Sequence, residues 1–186
     1  MRGDNVSAKE LYLNHLREAR AKHLHWLKRV KQLVSGMRMA SDAIELKASQ
    51  SRFGIWFYDE AAIYTTAENR EVMQAIESLH AECFDYYAKI HRVMFNRSSG
   101  SFFGMIMGYH KAGAKELAAA QEYYEVLVDV SDEMIKKLRK LEKQMAELSE
   151  NRFEELALSE ALPNDQIDLV GVPSFTMQGH SRSRVS

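Results

Sequence analysis

The chain has 186 residues, with 25 Lys and Arg against 26 Asp and Glu, one cysteine and two prolines. That length holds one domain with a substantial core, and the even net charge gives no argument for a nucleic-acid partner, for which a concentrated basic face would be expected. With Cys83 alone, neither an intramolecular disulfide nor a cysteine-rich zinc ribbon can form, so a reducing, intracellular setting is expected.

The first residues, Met1-Arg2-Gly3-Asp4-Asn5, lack the apolar centre of a signal peptide, and no apolar run approaches the ~20 residues that a membrane span requires. The expectation is a cytoplasmic protein with no membrane insertion. Both prolines, Pro163 and Pro173, fall near the C-terminal end, which leaves everything before Leu162 free of the strongest helix breaker. An all-α domain of the four-helix-bundle type is therefore expected over residues 7–158, with a flexible tail over 159–186.

A first helix is predicted from about Ser7 to Val34, with Ser7 and Glu10 forming a capping box and Gly36 ending it. Tyr12, Leu16, Ala19, His23, Trp26, Val30 and Leu33 recur at spacings of three or four and define its apolar stripe, with His23 at the centre. A weaker segment, Ser41 to Lys47, leads into the aromatic stretch Arg52 to Tyr64, read as short helix. Thr65 and Glu68 suggest another capping box, opening a third helix that runs to about Phe95. Its core line is Ile76, Leu79, Cys83, Tyr86, Ile90 and Val93, with His80 beside it. Asn96 to Gly108 holds three glycines and three serines around the apolar patch Phe102 to Met107, read as a turn and a lid or interface.

From about Ala112 to Glu155 a single long helix is predicted. Leu117, Ala120, Tyr124, Leu127, Ser131, Met134, Leu138, Leu141, Met145 and Leu148 form a heptad seam along it. This is about twice the length a bundle helix needs, so the distal part, charged at Lys136, Lys137, Arg139, Lys140, Glu142 and Lys143, is expected to project and pair with another chain. A homodimer and a protein partner, held through the long helix at 112–155 or the tail at 163–186, are the expected associations.

The chemistry rests on few residues. His23 and His80 project inward if the first and third helices are neighbours, and Cys83, three residues after His80, shares its helical face. A histidine in an apolar stripe is more often a hydrogen-bonded core residue, and a lone buried cysteine usually acts as a small hydrophobe. His15, His25, His91 and His110 read as solvent-facing or capping residues, and His180 lies in the tail. Only Glu77 precedes a histidine, His80, at the Glu-x-x-His spacing of di-iron bundles. There is no phosphate-binding glycine loop, nucleophile elbow or zincin motif, and no acid, base and nucleophile assemble into an enzyme site.

The stretch His23-Leu24-His25-Trp26-Leu27-Lys28-Arg29-Val30 resembles the first-helix motif of the chemoreceptor zinc-binding (CZB) domains. Ser51-Arg52-Phe53-Gly54-Ile55-Trp56-Phe57-Tyr58 is similar to their central Cys-x-(Leu/Phe)-Gly-x-Trp-x-Tyr motif, and His80 matches the first histidine of their closing His-x-x-x-His pair. Gly113 to Leu141 resembles their last helix. The likeness covers roughly Leu11 to Leu141, with an apparent insertion around Asn96 to Ala112. It implies a cytoplasmic, usually dimeric helical bundle that regulates bacterial signalling by binding zinc through three histidines and one cysteine, whose oxidation can also serve as a signal. On that pattern His23 and His80 keep their places, Ser51 stands for the cysteine and Phe84 for the second histidine of the pair. Serine is a poor zinc ligand beside a thiolate, and phenylalanine is none.

The expected function is thus a non-enzymatic module of chemotaxis or cyclic-dinucleotide-linked signalling, with zinc binding weakened or lost and no certain cofactor. The alternative is a zinc- or redox-responsive sensor using His23, His80 and Cys83.

Overall fold

The computed structural model describes residues 6–95 and 112–161, which form helices and the segments connecting them and contain no strand. The fold is all-α. Three long helices, α1 (Ala8–Val34), α3 (Arg70–Phe95) and α4 (Ala114–Glu147), are accompanied by two short ones, α2 (Arg52–Asp59) between α1 and α3 and α5 (Glu150–Ala161) after α4. The most extensive packing is between α3 and α4; the α1 backbone lies mainly against α4 and meets α3 through the side chains of His23 and Trp26. The remaining side is filled by α2 with its flanking 3₁₀ turns, Ala48–Gln50 and Ala61–Tyr64.

Helix α1 forms where its stripe predicts, and Tyr12, Leu16, Ala19, His23, Trp26, Val30 and Leu33 are all buried. The Ser7 hydroxyl accepts the Glu10 amide at 3.2 Å, satisfying one of the free N–H groups of the first turn. At the other end Gly36 has φ +87°, and the Gly36 and Met37 amides bond back to the carbonyls of Leu33 and Gln32. This is a Schellman closure, in which the left-handed residue is nearly always glycine.

Helix α3 begins at Arg70 rather than at Thr65. The side-chain carbonyl of Asn69 takes the Thr66 amide at 2.8 Å while its amide group reaches the Tyr64 carbonyl, so a buried asparagine organises the entry that the Thr65/Glu68 pattern was expected to make. The buried face of α3 is also turned by about one residue from the predicted line. His80, Phe84, Tyr87 and Met94 lie inside, and Leu79, Tyr86 and Val93 flank them. A helix covered by α4 on one side and by α2 and its 3₁₀ turn on the other needs an apolar face wider than a two-position seam.

The predicted long C-terminal helix is broken. Leu148 is extended at ψ 144°, and the Ser149 hydroxyl accepts the Arg152 amide at 3.3 Å to start α5. The distal seam does not project for another chain. Met134, Leu138, Leu141 and Met145 are fully buried within this chain, in one cluster with Tyr12, Leu16, Phe57 and Ile76. Burial of a leucine or methionine side chain contributes about 1.5–3 kcal/mol, and here that gain is realised internally. The Phe102 to Met107 patch, His110 and the 163–186 segment lie outside the described residues.

Among the described residues, no helix is long and apolar enough to cross a membrane.

Candidate functional site

The aromatic heptapeptide from Arg52 to Tyr58 becomes helix because Ser51 caps it. The Ser51 hydroxyl accepts the Gly54 amide at 2.9 Å, with Ser51 itself extended at ψ 150°. Gly54 is required by a close approach: a Cβ there would stand 2.0 Å from the Ala48 carbonyl oxygen. The absence of that one carbon lets the 3₁₀ turn at Ala48–Gln50 fold onto α2 and carries Ser51 into the interior. Phe53, Trp56 and Phe57 then point into the core, and Ile55 faces outward.

Ser51 meets His80 of α3, with its hydroxyl oxygen 3.3 Å from Nε2. The same hydroxyl lies 2.8 Å from the Ala48 carbonyl, to which it donates its one proton. His80 must then carry its proton on Nε2 and donate it to Ser51, which leaves Nδ1 as a bare acceptor. Nδ1 is buried and has no hydrogen-bond partner within the described structure. His23 of α1 is paired separately, its Nε2 2.9 Å from the hydroxyl of Ser131, a residue of the α4 seam. Both histidines are at least nine-tenths buried.

The apolar interior consists of two clusters, one built around Tyr12, Phe53, Trp56 and Leu138, the other around Trp26, Cys83, Phe84, Tyr87 and Leu127. The histidines sit where these clusters meet. His23 stacks on Trp26 and stands edge-on to Phe53, and His80 contacts Phe53 at 4.6 Å and Phe84 at 5.1 Å between ring centroids. Their own rings are 6.4 Å apart. Phe84 lies flat on Trp26 at 4.7 Å. Three places far apart in sequence, His23, Ser51 and the His80/Phe84 pair one turn apart on α3, are therefore close neighbours in one layer.

Charge is disfavoured in this layer. Burial, reinforced by the neighbouring His80, holds the His23 pKa down to about 3, and burial holds that of His80 down to about 4. Both rings are neutral at pH 7. Cys83 is also fully buried, and burial pushes its thiol up to about 12, far from the thiolate that metal binding or rapid oxidation needs.

The layer does not fit a zinc ion. Zinc takes four nitrogen, sulfur or carboxylate donors in a tetrahedron, whereas these positions supply two imidazoles, a hydroxyl and a phenyl ring. The Nε2 atoms of both histidines face serine hydroxyls. Among the described residues, no group of three or more His, Cys, Asp or Glu side chains is placed to hold a metal ion, and Cys83 does not join the two histidines in such a group. What the layer does chemically is close hydrogen bonds between helices, His23 joining α1 to α4 and His80 joining α3 to the start of α2.

The remaining histidines lie elsewhere. His15 spans from α1 to Glu60, its Nδ1 2.8 and 2.9 Å from the two carboxylate oxygens. His91 reaches the Ser41 carbonyl at 2.9 Å, and His25 is exposed. Ser131 was legible only as a polar break in an apolar seam, and its partnership with His23 spans 108 residues of sequence. Comparison of the chain with protein-family models, with curated proteins and with solved structures gives no match.

Proposed function

We propose that this chain is a non-enzymatic, cytoplasmic regulatory module of bacterial signalling, linked to chemotaxis or to cyclic dinucleotides, built on a CZB-like helical body that has exchanged zinc binding for a hydrogen-bonded core layer. It self-associates and engages a protein partner, and metal no longer sets its state. The observation that carries this reading is the meeting of His23, Ser51, His80 and Phe84 in one layer. These are the positions at which the motif resemblance expects four zinc ligands, and here two are serine and phenylalanine while the histidines are bonded to Ser51 and Ser131. Such a layer has a structural use. Buried polar pairs that are satisfied only in one alignment of the helices select that alignment over shifted ones.

Cys83 gives the redox form of the proposal no support, because a fully buried thiol held at about 12 is neither accessible nor ionised.

Zinc content per chain is the decisive measurement. It is made by elemental mass spectrometry on protein purified without chelator or affinity metal, beside a His23→Ala/His80→Ala variant and a Ser51→Cys/Phe84→His variant. The expected result is no zinc in the unmodified chain and near-stoichiometric zinc once the thiolate and second imidazole are supplied. Zinc that is present in the unmodified chain and lost in the alanine variant would overturn the reading.

A further inference from the structure

Helix α5 is held to the body in an unusual way. It is joined to α4 through Leu148 and Ser149 alone and packs against α1 and the 3₁₀ turn at Ala61–Tyr64. Phe153 is its only fully buried side chain among those described. Its ring stacks on Tyr64 with centroids 4.3 Å apart and meets Tyr12 edge-on at 5.4 Å; the two tyrosines are themselves 4.7 Å apart. Leu156 and Ala157 are partly covered, while Glu150, Asn151, Arg152, Glu154 and Glu155 face outward and Leu158 is 65% exposed.

A helix of this length is marginal by itself in water, so α5 depends on the aromatic socket formed by Tyr12 and Tyr64. Phe153 is the one fully buried side chain among those described on α5, and an element with so little buried apolar surface opens locally, below the free energy of global unfolding. When it opens, it bares an aromatic face and frees a helix that carries the matching ring. Phe153 of α5 fills that socket in this chain, and every further copy of the chain presents the same helix. Exchange of an identical element between protomers needs no new complementarity and produces a two-fold, closed assembly.

We infer that α5 is an exchangeable arm: Phe153 of one copy fills the Tyr12–Tyr64 socket of a second, and the reciprocal contact completes a dimer. This deepens the self-association in the proposed function and rests on it. The internally buried seam of α4 leaves the association to another element, and among the described elements α5 is one whose release exposes matched surfaces.

The test replaces Phe153 with the photo-cross-linker benzoylphenylalanine in the full chain. Equal amounts of isotopically light and heavy protein are mixed in urea, refolded together, irradiated and mapped by mass spectrometry, with light scattering recorded on the same samples. The expected result is a dimer in which cross-links run from position 153 to the Tyr12 or Tyr64 peptides and about half of them join light to heavy chains, as random pairing of exchanged arms requires. Cross-links found only within single chains, in samples that scatter as dimers, would sink the arm exchange and leave self-association standing. Absence of a dimer would sink both. If the larger ketone at 153 disturbs folding, as judged by circular dichroism, the same probe at partly exposed Tyr64, mapped to the Phe153 peptide, gives the same discrimination.

Discussion

Gly54 is where a single atom most clearly decides the local structure. A methyl group there would be driven into the Ala48 carbonyl at 2.0 Å, a contact with backbone rather than with the movable end of a side chain. The clash cannot be relieved without lifting the 3₁₀ turn or unseating Ser51, and Ser51 is at once the cap of α2 and the partner of His80. Gly54→Ala is expected to cost about 2–4 kcal/mol, the range in which overpacking and loss of a cap combine, read as a fall in the urea midpoint. A loss below about 0.5 kcal/mol, the scatter of an ordinary surface substitution, would mean that this turn is not fixed as described. The glycine was visible in the sequence as part of a motif, but its reason was not, because Ala48 approaches it only after the chain has turned.

Among the elements, α1 and α4 are tied by charge as well as by apolar burial. Glu142 on α4 accepts from Arg17 at 2.6 Å and from Arg20 at 2.7 Å, two donors one turn apart on α1. Burial raises the Glu142 pKa, but the bonds and charges of Arg17 and Arg20 outweigh it and hold the carboxylate below its usual value. Arg17 is more than half exposed, so solvent screening leaves the network worth about 1 kcal/mol. Glu142→Gln is expected to lower stability by about that amount at low salt, and the difference from the unmodified chain should shrink in 1 M salt. Equal losses at both salt concentrations would show that packing, not charge, makes this contact. Periodicity placed Glu142 off the seam without telling which helix would face it.

At the scale of the whole molecule, the buried neutral histidines make stability depend on pH. Their folded pKa values, about 3 and about 4, lie below the ordinary value near 6.5 that they regain on unfolding. Between those limits the unfolded chain binds more protons than the folded one, so stability rises with pH. The contribution of the layer is fully present above pH 6.5 and is lost as pH falls toward 4 and 3. Each unit of difference corresponds to about 1.4 kcal/mol, so acidification to pH 4 is expected to remove several kcal/mol, a large part of a typical domain stability of about 5–15 kcal/mol. Urea titrations from pH 7.5 to 4 check this against a His23→Gln/His80→Gln variant, whose profile should be flatter through that window. An unchanged slope in the variant would assign acid sensitivity to other groups.

The sequence by itself determined that the chain is helical, and it named nearly all of the inward positions on α1 and α4, because a helix that buries one face must repeat its apolar residues every three or four places. It also marked Ser7, Gly36 and the short helix over Arg52 to Tyr58, since caps and close approaches demand particular residue types. Tertiary structure decided everything that depends on which faces meet. The seam of α4 met its own chain rather than another; the buried face of α3 widened to take in His80 and Phe84; Ser149 stopped a helix whose periodicity ran on; and Ser131 found His23. Local pattern fixes direction around a helix axis, whereas pairing depends on loop closure and on packing between residues more than a hundred positions apart, and those are settled only when the whole core closes.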